Sequence, residues 1–149
     1  MLKRTHSCGE LTVDNLGQEV VLNGWVNAYR DFGGVVFIDL RDRYGLTQVV
    51  FEPESGATLQ ESAQALRNEW VIGVKGTVRR RLPGKENPKL NTGEIELQAS
   101  ALEVFNATHT PPFEIGGEAN EELRLKYRLL DLRRPEMHRI VEIRHRLAQ

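Results

Sequence analysis

The feature that most constrains this chain is a change of hydrophobic period, from two to about 3.6 and back, inside one stretch of roughly a hundred residues. Val20, Leu22, Gly24 and Val26 alternate with Asn23 and Asn27, which predicts a first strand over residues 20–29. Asp31 to Gly34 reads as a turn, because Gly33 and Gly34 tolerate positive φ. Residues 35–41 and 46–51 alternate again, separated by a turn at 41–45. From Thr58 to Asn68 the period lengthens: Leu59, Ser62, Ala63 and Leu66 share one helical side, with Thr58 as the expected N-cap. Alternation returns over 70–81 and 94–105, with a Pro- and Gly-bearing loop between them.

Three strands, one helix and two strands is the element order of the oligonucleotide-binding (OB) fold, a five-stranded Greek-key barrel. The expected fold class is therefore mainly β, with one helix between strands 3 and 4. Residues 107–122, with Pro111, Pro112, Gly116 and Gly117, read as a linker after a domain of residues 1–106. Residues 123–149 read as a basic helical segment, whose tail over 138–149 is expected to fray or to pack on another chain.

Composition narrows the function classes. The chain has 149 residues, enough for one domain with a sizeable core, and 28% charged residues. Its single cysteine, Cys8, excludes an internal disulfide and a Cys-based zinc site, and reads as a small residue of the fold. The four histidines are scattered, so no metal site is expected. No apolar run reaches membrane-spanning length and no signal-peptide core is present, which gives a cytoplasmic expectation and no membrane partner. The net charge of −1 hides a segregation. Residues 75–89 hold six Lys or Arg against one acid, and residues 94–122 hold seven acids and no Lys or Arg. Local basic patches, not net charge, set the footprint for a polyanion.

Strand parity then assigns faces. Val36, Ile38 and Leu40 take the core side of the second strand, which leaves Phe37 among Asp39 and Arg41 on the other. Either a stacked base covers that ring, or the helix or the loop of residues 82–93 does. With Thr47, Val49 and Phe51 inward, Gln48 projects beside Phe37, where an amide can both donate to and accept from a base edge. With Ile95, Leu97, Ala99 and Ala101 inward, Glu96 faces out, either as a solvated charge or as an acceptor for guanine N–H groups. Lys75, Thr77, Arg79 and Arg81 share the outer face of the fourth strand, as a phosphate track or as an ordinary charged surface.

Gly24-Trp-Val26, Arg30-Asp31, Phe37-Ile-Asp-Leu-Arg-Asp42, Gln48-Val49, Thr92-Gly-Glu-Ile-Glu96 and the run Glu122-Leu-Arg-Leu-Lys-Tyr-Arg-Leu-Leu-Asp-Leu-Arg-Arg-Pro-Glu-Met137 together resemble the N-terminal anticodon-binding domain and hinge of bacterial-type aspartyl-tRNA synthetases. The resemblance implies that Phe37 stacks on the central uridine and Gln48 bonds the same base. It implies that Glu96 reads the first-position guanine, that Arg30 serves the third base, and that Arg79, Arg81 and Asn87 contact the backbone or neighbouring bases. Ala28 stands where many relatives carry arginine, and Val50 where an aromatic is frequent. The implied partner is the anticodon stem-loop of aspartate tRNA. ATP and magnesium belong to the parent enzyme, a homodimer through its catalytic domain, and no cofactor or catalytic residue is expected in this chain. Two further readings stand beside it: a stand-alone OB module holding single strands with little sequence preference, and a purely structural assembly domain.

Overall fold

A computed structural model describes residues 1–149. Five strands close a barrel: β1 (Glu19–Phe32), β2 (Val35–Arg41), β3 (Leu46–Phe51), β4 (Val71–Arg80) and β5 (Ile95–Asn106), hydrogen-bonded in the order β1-β2-β3-β5-β4. Only β3 and β5 run parallel, through Val49↔Leu97 and Val50↔Gln98. A single helix inside the barrel sequence, α1 (Ala57–Gln64), follows β3. The OB-type order expected from the period changes is thus the order observed.

The turn between β1 and β2 is a two-residue hairpin in which Gly33 and Gly34 have φ of 62° and 94°. Both positions are left-handed, which is the geometry that matches the twist of the flanking strands. The core is the apolar parity set of all five strands, including Val20, Leu22, Val26, Ile38, Leu40, Val49, Phe51, Ile72, Val74, Ile95 and Leu97. Ala63 and Leu66 come in from the helical region. Cys8 is buried with them, and burial pushes its thiol well above its ordinary value, with the Asp42 charge adding to the shift.

Two local expectations shift. Helix α1 begins at Ala57 after Gly56, whose φ of 109° turns the chain out of the Pro53–Ser55 turn. Thr58 therefore lies inside the helix rather than capping it, and its carbonyl accepts from the Ser62 hydroxyl at 2.8 Å. Ser62 is exposed, and the helix stops at Gln64. In β5, a bulge opposite Lys75 and Gly76 changes parity, so that Leu102 rather than Ala101 packs against the core. Gly76 is obligatory there: a β-carbon would lie 2.2 Å from the Gln98 carbonyl oxygen.

The bulge that matters for the outer face lies in β1, between Val26 and Ala28. Strict alternation from Val26 would turn Ala28 and Arg30 inward. The extra residue reverses the phase, so that Tyr29 packs on the core and Arg30 pairs across from Phe37 on the outside.

Contacts divide the chain into two compact units, Met1–His109 and Thr110–Gln149. The second contains α2 (Glu121–Lys126), α3 (Arg128–Asp131) and α4 (Pro135–Leu147). Asn120 caps α2 by accepting from the Leu123 amide at 2.8 Å, two residues before the expected end of the linker. The tail is helical to Leu147, and Ile140, Val141, Ile143 and Leu147 are exposed along it. No helix is long and apolar enough to cross a membrane.

Candidate nucleic-acid interface

The outer faces of β1, β2, β3, β4 and β5 meet in a groove of about 520 Å³. Arg30, Phe32, Phe37, Gln48, Glu52, Arg79, Leu82, Lys85 and Glu96 line it, with Val35 and Val50 as its apolar floor. Five of the seven residues proposed from sequence therefore share one concavity: Arg30, Phe37, Gln48, Arg79 and Glu96. The other two do not line it. Asn87 sits in the loop after β4, where its Oδ1 accepts from the Lys89 amide at 3.1 Å. Arg81 is only 6% exposed, because β4 ends at Arg80 and the chain folds back there. Its amide donates to the Glu94 carbonyl and its Nε to the Ile95 carbonyl, both at 3.0 Å.

Phe37 is half-buried, and its ring meets the edge of Phe32 with centroids 5.8 Å apart and planes at 68°. Neither helix nor loop encloses it: the loop contributes Leu82 and Lys85 to the groove wall. Phe32 is 64% exposed and Leu82 71% exposed, an unusual pair of large apolar side chains around an already half-open ring. Val50, opposite Phe37 in the β2–β3 ladder, is buried beneath them. The result is an apolar recess with a polar wall on one side.

That wall is a single hydrogen-bonded chain. Gln98 donates to Glu52 at 2.6 Å, and Arg79 Nη2 donates to the other Glu52 oxygen at 2.7 Å. Arg79 Nε donates to Glu96 Oε1 at 2.8 Å, and Gln48 Nε2 donates to Glu96 Oε2 at 2.9 Å. The hydrogen bond from Arg79 holds the Glu52 carboxyl below its ordinary value, against the opposing effect of burial. Burial pulls the Arg79 guanidinium down, but its two carboxylate partners outweigh that and raise it. Alongside, Arg30 grips Asp39 with two parallel bonds of 2.8 and 2.9 Å, which fixes its planar head over the β1–β2 ladder.

The outer face of β4 is consequently not an open cationic track. Lys75 is paired with Glu19 at 2.8 Å, Arg79 lies between two carboxylates, and Arg81 is buried. In the groove, Arg30, Arg79 and Lys85 face Glu52 and Glu96, so charge nearly cancels, and hydrogen-bond pattern and stacking dominate. Sequence parity found Phe37, Gln48 and Glu96. It missed Phe32, placed in the turn, and Glu52; Gln98 has the same outward parity as Glu96, but its bond to Glu52 does not follow from that. The one signal for the first was a second phenylalanine beside two glycines.

These observations agree with relationships to known proteins. The chain is 55% identical over 150 residues to the aspartate–tRNA(Asp/Asn) ligase of Moorella thermoacetica, covering 99% of this chain and 25% of that protein. It is 51% identical to the enzyme of the same name from Desulfatibacillum aliphaticivorans, with the same coverage. The chain thus spans about a quarter of the length of the curated relatives it matches. The crystal structure of asparaginyl-tRNA synthetase from Pyrococcus horikoshii superposes with a TM-score of 0.81 at 28% identity, over 97% of this chain and 33% of that one. Residues 20–105, the barrel strands with the groove they form, match the tRNA anticodon family model described as the OB-fold nucleic acid binding domain, and the chain belongs to that family.

Proposed function

We propose that this chain is the anticodon-reading part of an aspartate–tRNA ligase. The anticodon of tRNA-Asp, and of tRNA-Asn as in the relatives' names, lies in the Phe37 groove. The observation that carries this reading is the single wall joining a half-open aromatic ring to an amide and a carboxylate, Phe37 to Gln48 to Glu96. The central base stacks on Phe37 and bonds Gln48. The first-position guanine donates its N1–H and N2–H to the remaining lone pairs of Glu96, since a carboxylate offers about four acceptor positions and two are used. Arg30 serves the third base, and Arg79 and Asn87 serve the backbone or adjoining bases, while the buried Arg81 shapes the end of β4. The parent enzyme supplies aspartate activation with ATP and magnesium from segments outside these residues, and dimerises through them. A generic single-strand binder is disfavoured by the charge pairing of the β4 face, which leaves no free cationic stripe.

Binding of the chain to an anticodon stem-loop bearing GUC tests the proposal. Phe37→Ala removes one stacking platform worth roughly 1–3 kcal/mol, so affinity drops about 5- to 150-fold. Equal affinity of the wild type and Phe37→Ala for that loop would reject the reading.

A further inference from the structure

The wall of the groove fixes more than position: it fixes which end of the Gln48 amide is available. An ionised carboxylate only accepts hydrogen bonds, and a guanidinium only donates them. Arg79 Nε holds Glu96 Oε1, so Glu96 Oε2 is the oxygen left for Gln48. Gln48 must turn its NH2 group to that oxygen, which it does at 2.9 Å. Its carbonyl oxygen is thereby the free end. The orientation of an amide is ordinarily ambiguous, but here the chemistry of the neighbour decides it. Arg79 is itself held from the other side by Glu52, and Glu52 by Gln98, so the relay is braced along its length.

We propose that Glu96 is a positioning residue for Gln48, and that the Glu52–Arg79–Glu96 relay makes the Phe37 site select a base whose ring nitrogen carries hydrogen. This rests on the anticodon-reading proposal and adds to it that one carboxylate governs two adjacent base sites. A ring nitrogen presented to the Gln48 oxygen must donate. Uracil N3–H does. Cytosine N3 brings a lone pair against a lone pair. The mismatch leaves two desolvated acceptors unpaired, the arrangement that gives polar sites their strongest discrimination.

The relay predicts its own inversion. In Glu96→Gln, Arg79 still donates and therefore keeps the new amide oxygen. The new NH2 then faces Gln48, which must present its oxygen inward and its NH2 group to the groove. The site now donates, and cytosine becomes the matched pyrimidine. The probe is an anticodon stem-loop with an abasic first position, so that any direct contact of residue 96 with that base is absent, and with U or C at the centre. For the 149-residue chain the expected U-over-C affinity ratio is at least about tenfold. In Glu96→Gln it falls by at least that factor, towards or past unity. Uniform weakening with an unchanged ratio overturns the proposal. If circular dichroism shows Glu96→Gln unfolded, Glu52→Gln carries the test: releasing one side of Arg79 lowers the ratio about threefold, and an unchanged ratio overturns the relay. A wild type whose loop binding depends on Phe37 but shows no U-over-C preference defeats this inference alone. A wild type with neither property defeats the anticodon reading itself.

Discussion

The two units of the chain each contain a carboxylate–arginine cluster, and the two clusters are opposite in which charge is in excess. In the barrel groove, one guanidinium, Arg79, is outnumbered by two carboxylates, Glu52 and Glu96. In the helical unit, one carboxylate, Asp131, is outnumbered by three guanidiniums. Arg124 Nε and Arg128 Nη1 each donate to it at 2.7 Å, and Arg134 Nη1 lies at 3.6 Å. Asp131 is fully buried, whereas Arg128 is half-exposed. In each cluster the charge in the minority is more than compensated, and the majority sign is left in excess. The groove therefore retains acceptor capacity, which suits the N–H edges of bases. The helical cluster retains donors and positive charge, and its single acid acts as the pin that ties α2, α3 and the start of α4 together.

The largest effect should come from removing that pin. Asp131→Asn puts an NH2 group among donors, and the segment 121–134 loses the one group that its arginines share. Amides of these residues should exchange at least about tenfold faster, while barrel amides keep their protection. Acid should imitate the variant. The Arg124 hydrogen bond chiefly lowers the Asp131 pKa below its ordinary 3.8, opposed by burial and aided by all three arginine charges. A depressed folded pKa gives a contribution present above 3.8 and lost as pH falls through the lowered folded value. Wild type and variant should therefore converge only below 3.8.

Arg79→Ala breaks the opposite cluster and should do less, because Arg79 is about a third exposed and solvent can partly replace it. It leaves Glu52 and Glu96 without their shared donor. Urea unfolding followed by Trp25 and Trp70 fluorescence, both in the barrel unit, should report a loss of roughly 1–2 kcal/mol at pH 7. Glu52 has its folded pKa lowered from 4.5, again mainly by the hydrogen bond from Arg79. Its contribution is complete above 4.5 and disappears as pH falls through the lowered value. The gap between wild type and Arg79→Ala should then narrow below pH 4.5, and a gap that widens in acid would contradict the relay.

The contrast also explains what could be read without coordinates. Phe37, Gln48 and Glu96 follow from parity, since a period of two assigns a face to every residue of a regular strand. Arg30 does not, because its direction depends on a bulge at Val26–Ala28 that no residue type announces. Arg81 has the outward parity of its strand, but the strand ends one residue before it, so it turns into the protein. Glu52 and Gln98 are 46 residues apart, and their hydrogen bond depends on the parallel β3–β5 pairing, a tertiary fact. Asp131 sits in a run where arginines surround it in sequence, yet helical spacing alone could not show that three of them converge on one buried carboxylate.

The smallest expected effect isolates the one groove cation without an ion pair, since Arg30 is held by Asp39 and Arg79 by Glu52 and Glu96. Lys85 lines the groove from the loop after β4, is exposed, and forms no ion pair. A cation already bound to carboxylates releases few counterions when RNA arrives, because its charge is compensated in the free protein. An unpaired lysine releases close to one. Each phosphate neutralised on a single strand contributes about 0.7 to the slope of log affinity against log salt. Lys85→Ala should therefore flatten that slope by about 0.7 and weaken stem-loop binding modestly. Arg79→Ala should change the slope much less, although it removes the same formal charge. The preference at the Phe37 site should be untouched by Lys85→Ala, since a solvated ammonium positions the backbone without reading a base. Equal slope changes for the two variants would mean that the carboxylates of the groove do not compensate Arg79 in solution, and the contrast between acceptor-rich and donor-rich clusters would lose its electrostatic half.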